Sequence, residues 1–92
     1  MPIVKRVRVV VTGRVQGVFF RATCARLARD AGVGGFVRNR PDGAVEAAFE
    51  GSPEVVDGLV AWCRHGPDLA RVDGVEVVAE QPLGDVTFRV RG

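Results

Sequence analysis

Residues 5–12 alternate, with Val7, Val9 and Val11 on one side and Arg6, Arg8, Val10 and Thr12 on the other. That is the period of a half-buried strand, and valine suits a pleated surface. Residues 13–19 contain Gly13 and Gly17 and read as a loop. From Phe20 the spacing becomes helical: Phe20, Cys24, Leu27, Ala28 and Ala31 share one stripe, Arg26 and Arg29 lie off it, and Gly32 is a natural stop. Residues 33–39 predict a second strand, and Arg40-Pro41-Asp42-Gly43 a turn. A third strand is expected over 44–50, with Val45, Ala47 and Phe49 inward. Ser52-Pro53-Glu54 opens a second helix: serine as N-cap, proline in the first turn, an acid at the positive end. Its apolar face is Val55, Val56, Leu59, Trp62 and Cys63, and Gly66-Pro67 ends it. Residues 72–80 predict a fourth strand, with Val75, Val77 and Ala79 opposed to Glu76, Val78 and Glu80, and residues 86–91 alternate once more.

The predicted order is β-α-β-β-α-β with a short extra C-terminal strand. A hairpin in mid-chain argues against an all-parallel, doubly wound sheet. Two amphipathic helices on one face of a mostly antiparallel sheet bury both apolar stripes with the fewest layers. The expectation is an α+β, ferredoxin-like sandwich formed by one domain over residues 1–92, with no repeat or linker to divide it.

Composition adds limits. At 47% hydrophobic and 26% charged residues the chain is an ordinary globular one, which excludes a disordered or collagen-like class. Cys24 and Cys63 are too few for a disulfide-scaffolded secreted domain. No apolar run approaches the roughly 20 residues of a membrane span, and residues 1–6 lack a signal peptide's apolar stretch. A cytoplasmic location without membrane association is expected. The net charge of +2 hides an asymmetry: residues 1–40 carry a net +8 and residues 41–92 a net −6. The basic half suggests an anionic partner without saying which.

Candidate chemistry is sparse. The single histidine, His65, falls at the predicted end of the second helix, where a cation complements the dipole; that reading is preferred to catalysis. One histidine and two separated cysteines offer no metal-ligand spacing, and both cysteines sit on apolar stripes as inert thiols. The first strand-to-helix junction, residues 13–21, is richer. A glycine-containing loop entering a helix turns backbone N–H groups outward beside the positive helix end, and Arg21 adds a planar fork able to grip two phosphate oxygens. An ordinary turn with exposed arginines is the alternative. Asn39 either stabilises the turn that follows it or holds a water through its amide; it has no group titrating near neutrality.

Gly13-x-Val15-Gln16-Gly17-Val18-x-Phe20-Arg21 resembles the first signature of the acylphosphatase family. Gly35-Phe36-Val37-Arg38-Asn39-x-x-x-Gly43-x-Val45, with Gly51 six residues on, resembles the second. The likeness extends across the chain. It implies the same ferredoxin-like fold and the hydrolysis of a small acyl phosphate to carboxylate and inorganic phosphate, without metal or cofactor. It also implies that Arg21 binds phosphate, that Asn39 positions the water, and that the backbone of Arg14, Val15, Gln16, Gly17, Val18 and Phe19 cradles the phosphate. Inorganic phosphate is then product and competitive inhibitor, and a monomer is expected. Because the last strand pattern runs to Arg91-Gly92, the Gly92 carboxylate is expected near an arginine, Arg21 among them.

Two rival functions share this fold. An RNA-binding sandwich would stack bases on sheet aromatics. The predicted open face instead carries Arg6, Arg8, Thr12, Glu46, Glu50, Glu76 and Glu80, so no nucleic-acid partner is expected. A carbamoyl-phosphate-processing domain of a larger hydrogenase-maturation protein shares the fold; 92 residues without adjoining domains favour the simple hydrolase.

Overall fold

The computed structural model describes residues 3–92. Its elements are β1 (Lys5–Arg14), α1 (Phe20–Asp30), β2 (Gly34–Asn39), β3 (Val45–Gly51), α2 (Pro53–Cys63), β4 (Arg71–Glu80) and β5 (Phe88–Arg91). One sheet contains all five strands in the order β4-β1-β3-β2-β5. β1 runs antiparallel to β3 and β4, and β2 antiparallel to β3, whereas β5 is parallel to β2. Each helix therefore crosses over one intervening strand, the split β-α-β arrangement of a ferredoxin-like sandwich.

The alternation in β1 and β3 places Val7, Val9, Val11, Val45, Ala47 and Phe49 in the core, all nearly inaccessible. Phe20, Cys24 and Ala28 of α1 and Val56, Leu59 and Cys63 of α2 close over them. The Phe20 and Trp62 rings meet at 5.0 Å between centroids, and Phe49 stacks on Phe88 at 5.8 Å. Both pairs lie within the roughly 4.5–7 Å at which aromatic rings attract.

Several details differ from the sequence reading. β1 continues through Gly13 to Arg14, beyond the expected end at Thr12, because a bulge between Thr12 and Gly13 lets the strand keep pairing with β4. Only glycine fits there: φ is +124°, and a Cβ would collide with the Arg71 carbonyl oxygen. Ser52 occupies the N-cap of α2, but its side chain makes no capping bond; its carbonyl accepts the Val56 N–H at 2.9 Å. Val77 and Ala79 are exposed instead of inward. β4 is an edge strand, and the helices lie elsewhere: α2 on β1 and β3, α1 on β2, β3 and β5.

The open face departs most. Arg6, Glu46 and Glu50 were expected to face solvent, yet Arg6 is 5% exposed and Glu50 3%. Arg6 and Glu50 are cross-strand partners, with Arg6 Nη1 3.0 Å from Glu50 Oε1. The segment between β4 and β5 folds over them, and the N–H groups of Leu83, Gly84 and Asp85 donate to the Glu50 carboxylate at 2.8, 2.8 and 3.0 Å. Arg6 Nε also reaches Glu80 at 3.2 Å. A buried charge is tolerated when it is paired and fully hydrogen-bonded, and this one is.

Candidate active site

The loop between β1 and α1 alternates in direction. Val15 and Val18 are buried at 1% and 4% exposure and anchor it to the core, while Gly17 and Phe19 turn outward. Gly17 has a φ of +73°, and Phe19, the N-cap of α1, has φ 67° and ψ 18°. Two left-handed residues within three positions curl the chain tightly into the helix. Among the described residues, no oxygen accepts a bond from the backbone N–H groups of residues 16–22. The first turn of α1 holds no acid. These donors and the helix dipole together form a site of positive potential with no internal counter-charge.

Val15, Gly17, Phe19, Phe20, Arg21, Ala22 and Asn39 line an open cavity of about 250 Å³. That is slightly below the roughly 300–1,000 Å³ typical of drug-sized ligands, so it suits a small one. Arg21 and Asn39, separated in sequence by α1 and β2, share this cavity because β2 ends where α1 begins. Arg21 is half-buried and forms no ion pair or side-chain hydrogen bond among the described residues, Gly92 included. The other arginines there without an ion pair or side-chain hydrogen bond, Arg14, Arg26, Arg64 and Arg91, are all exposed. Asn39 Oδ1 is the one buried side-chain oxygen or nitrogen among the described residues without a partner. A free planar cation and an asparagine whose side-chain oxygen lacks a partner thus line one small space.

The remaining candidates lie outside it. Arg14 is the last residue of β1, paired with Arg71 in the β1–β4 ladder, and its side chain is exposed. Gln16 does something its place in a loop motif did not reveal. Its Nε2 donates to the carbonyl oxygens of Arg40 at 2.7 Å and Ala44 at 2.9 Å, tying the loop to the turn that follows Asn39. That turn is braced internally: Arg40 Nη2 donates to Asp42 Oδ2 at 2.8 Å, and Asp42 Oδ1 accepts the Ala44 N–H at 3.1 Å. The Ala44 N–H, with help from Arg40, holds the Asp42 carboxyl below its ordinary range. The only sequence signal for this clamp is a glutamine four residues past the expected end of the first strand.

His65 is exposed beyond the end of α2 and does not line the cavity. Cys24 and Cys63 are buried and free. The Cys63 thiol, and then burial, push the Cys24 thiol well above its usual value, which keeps it protonated and unreactive. Among the described residues no three His, Cys, Asp or Glu side chains gather as metal ligands. No described helix is long and apolar enough to cross a membrane.

A family model described as acylphosphatase matches residues 7–90. An acylphosphatase of Rubrobacter xylanophilus is 58% identical over 88 residues, covering 95% of this chain and 80% of the relative. The crystal structure of acylphosphatase from Bacillus subtilis superposes with a TM-score of 0.90 at 31% identity, covering 98% of this chain and all of that one. A segment amounting to 12% of HypF from T. kodakarensis superposes on 96% of this chain, with a TM-score of 0.82 and 31% identity.

Proposed function

The chain belongs to the acylphosphatase family of hydrolases acting on acyl phosphates, and on that premise we propose that Arg21 binds the phosphoryl group and Asn39 positions the attacking water. The backbone N–H groups of the turn at residues 15–19 and of the first turn of α1 complete the phosphate site. The observation that supports this reading is that two residues with unsatisfied groups, Arg21 with its half-buried guanidinium and Asn39 with its buried, unpartnered Oδ1, line one cavity. Folding alone gains nothing from either.

The chemistry asks for little more. Cleavage expels a carboxylate whose conjugate acid has a pKa of about 4, so the leaving group needs no general acid. Phosphoryl transfer depends on in-line positioning and on stabilising charge over the equatorial oxygens. A guanidinium fork and several N–H dipoles, fixed before the substrate arrives, supply that stabilisation. Asn39 Oδ1 accepts a hydrogen from the water and aims its lone pair at phosphorus. The cavity lining holds no carboxylate, imidazole, amine or thiol. The water's proton therefore passes to a phosphoryl oxygen of the substrate, and the products are carboxylate and inorganic phosphate.

The direct test is hydrolysis of a small aryl acyl phosphate beside carbamoyl phosphate, with inorganic phosphate as inhibitor. Turnover of the aryl compound with competitive inhibition is expected. Turnover of carbamoyl phosphate alone would overturn the substrate assignment.

A further inference from the structure

Phe19 is the one non-glycine residue with a positive φ among the described residues. In that basin Cβ crowds the neighbouring carbonyl, so bulky side chains seldom occupy it. Packing does not explain the ring either. Phe19 is 70% exposed, while its neighbours Val18 and Phe20 are buried. Strain and exposure both oppose folding, and the ring stands at the lip of the cavity that holds Arg21 and Asn39.

This inference rests on the function proposed above, in which Arg21, Asn39 and the N–H groups account for the phosphate end of the substrate alone. The acyl group must project toward the open side of the cavity. Apart from Arg21 and Asn39, the side chains lining the cavity are those of Val15, Phe19, Phe20 and Ala22, all apolar, and Phe19 is the largest exposed surface among them. We propose that Phe19 forms the acyl subsite, stacking against the substrate and making the enzyme prefer acyl phosphates that carry an aromatic ring over those with a small aliphatic acyl group. The backbone N–H of the same residue stays with the phosphate, so one position serves both ends of the substrate.

The test compares kcat/KM for benzoyl phosphate and acetyl phosphate in the native chain and in Phe19→Gly, Phe19→Ala and Phe19→Tyr. The benzoyl-to-acetyl ratio is expected to fall about three- to tenfold in the glycine and alanine variants, as loss of one aromatic contact implies, and to persist in the tyrosine variant. Glycine suits a φ of 67°, so Phe19→Gly should show no lower thermal midpoint and serves as the folded control. Inhibition by phenylphosphonate and methylphosphonate gives a second ratio that needs no turnover, and it should fall in parallel. An unchanged ratio, or an equal fall for both substrates, overturns the acyl subsite. Failure of the native chain to hydrolyse either acyl phosphate overturns the proposed function instead, and the phosphonate ratio then still decides whether Phe19 binds the organic group.

Discussion

Gln16 Nε2 lies 2.7 Å from the carbonyl oxygen of Arg40, so one side-chain amide from the loop entering α1 holds the turn leaving β2. Arg21 follows the first of these segments and Asn39 precedes the second. The clamp therefore sets the distance between the two groups that share the cavity. Gln16→Ala removes both amide bonds, although the Arg40 and Ala44 carbonyls keep backbone partners in Gly43 and Arg40. A loss of about 1–2 kcal/mol is expected in urea unfolding, at the lower end for two hydrogen bonds. A larger fall in kcat than the destabilisation explains should accompany it, because catalysis tolerates misplacement poorly. Unaltered kinetics would make Gln16 a stabilising residue only.

Arg21→Ala is expected to lower kcat/KM for an aryl acyl phosphate on the order of 10²–10³-fold and to weaken inhibition by inorganic phosphate. Arg21→Lys should recover little, since a point charge does not replace the fork. Arg21 has no partner to lose among the described residues, so thermal stability should change within about 0.5 kcal/mol. Near-native hydrolysis by the alanine variant would refute the assigned role.

For Asn39→Ala we expect kcat to fall by a factor of order 10²–10³ with a smaller change in KM, as for loss of an interaction made mainly in the transition state. The Oδ1 atom has no partner in the folded chain, so its removal sacrifices no internal bond at that atom. Unfolding measurements should place the variant within about 1 kcal/mol of the native chain. Unchanged kcat would leave Asn39 a turn residue.

Glu50 gives the fold an acid limit. Burial raises its carboxyl, but the Leu83 amide, the Arg6 guanidinium and the Gly84 and Asp85 amides outweigh burial and hold it below the ordinary value. A depressed folded pKa contributes stability that is complete above the unfolded value of about 4.3 and is lost as pH falls through the lower folded one. Stability by urea unfolding should therefore decline below about pH 4. Glu50→Gln should flatten that decline and cost about 3 kcal/mol at neutral pH, the low end for a broken buried pair, because Arg6 retains Glu80. An unaltered acid slope in Glu50→Gln would assign the decline to other carboxylates.

Much of the architecture was legible in short stretches. The valines of β1, the stripe through Phe20, Cys24 and Ala28, and the turn at 40–43 are local patterns, and each became the expected element. The pair Arg21 and Asn39 was legible only through resemblance, since each residue alone also fits an ordinary turn. The Gln16 clamp was not legible, because a side-chain bond across 24 and 28 residues leaves no local period.

Charge shows the same division. Local pattern is enough to say which faces alternate, where helices start and stop, and that a basic first half meets an acidic second one. Which of those charges leave water depends on how the folded chain covers them. Arg6 and Glu50 look alike in pattern to Arg8 and Glu76, yet a loop from the far end of the chain covers the first two and leaves the others exposed. Periodicity records which way a side chain points from its own backbone; burial depends on what a distant segment lays over it. For the same reason, the sequence supplied an arginine and an asparagine, and the crossover of α1 to β2 put them on one cavity.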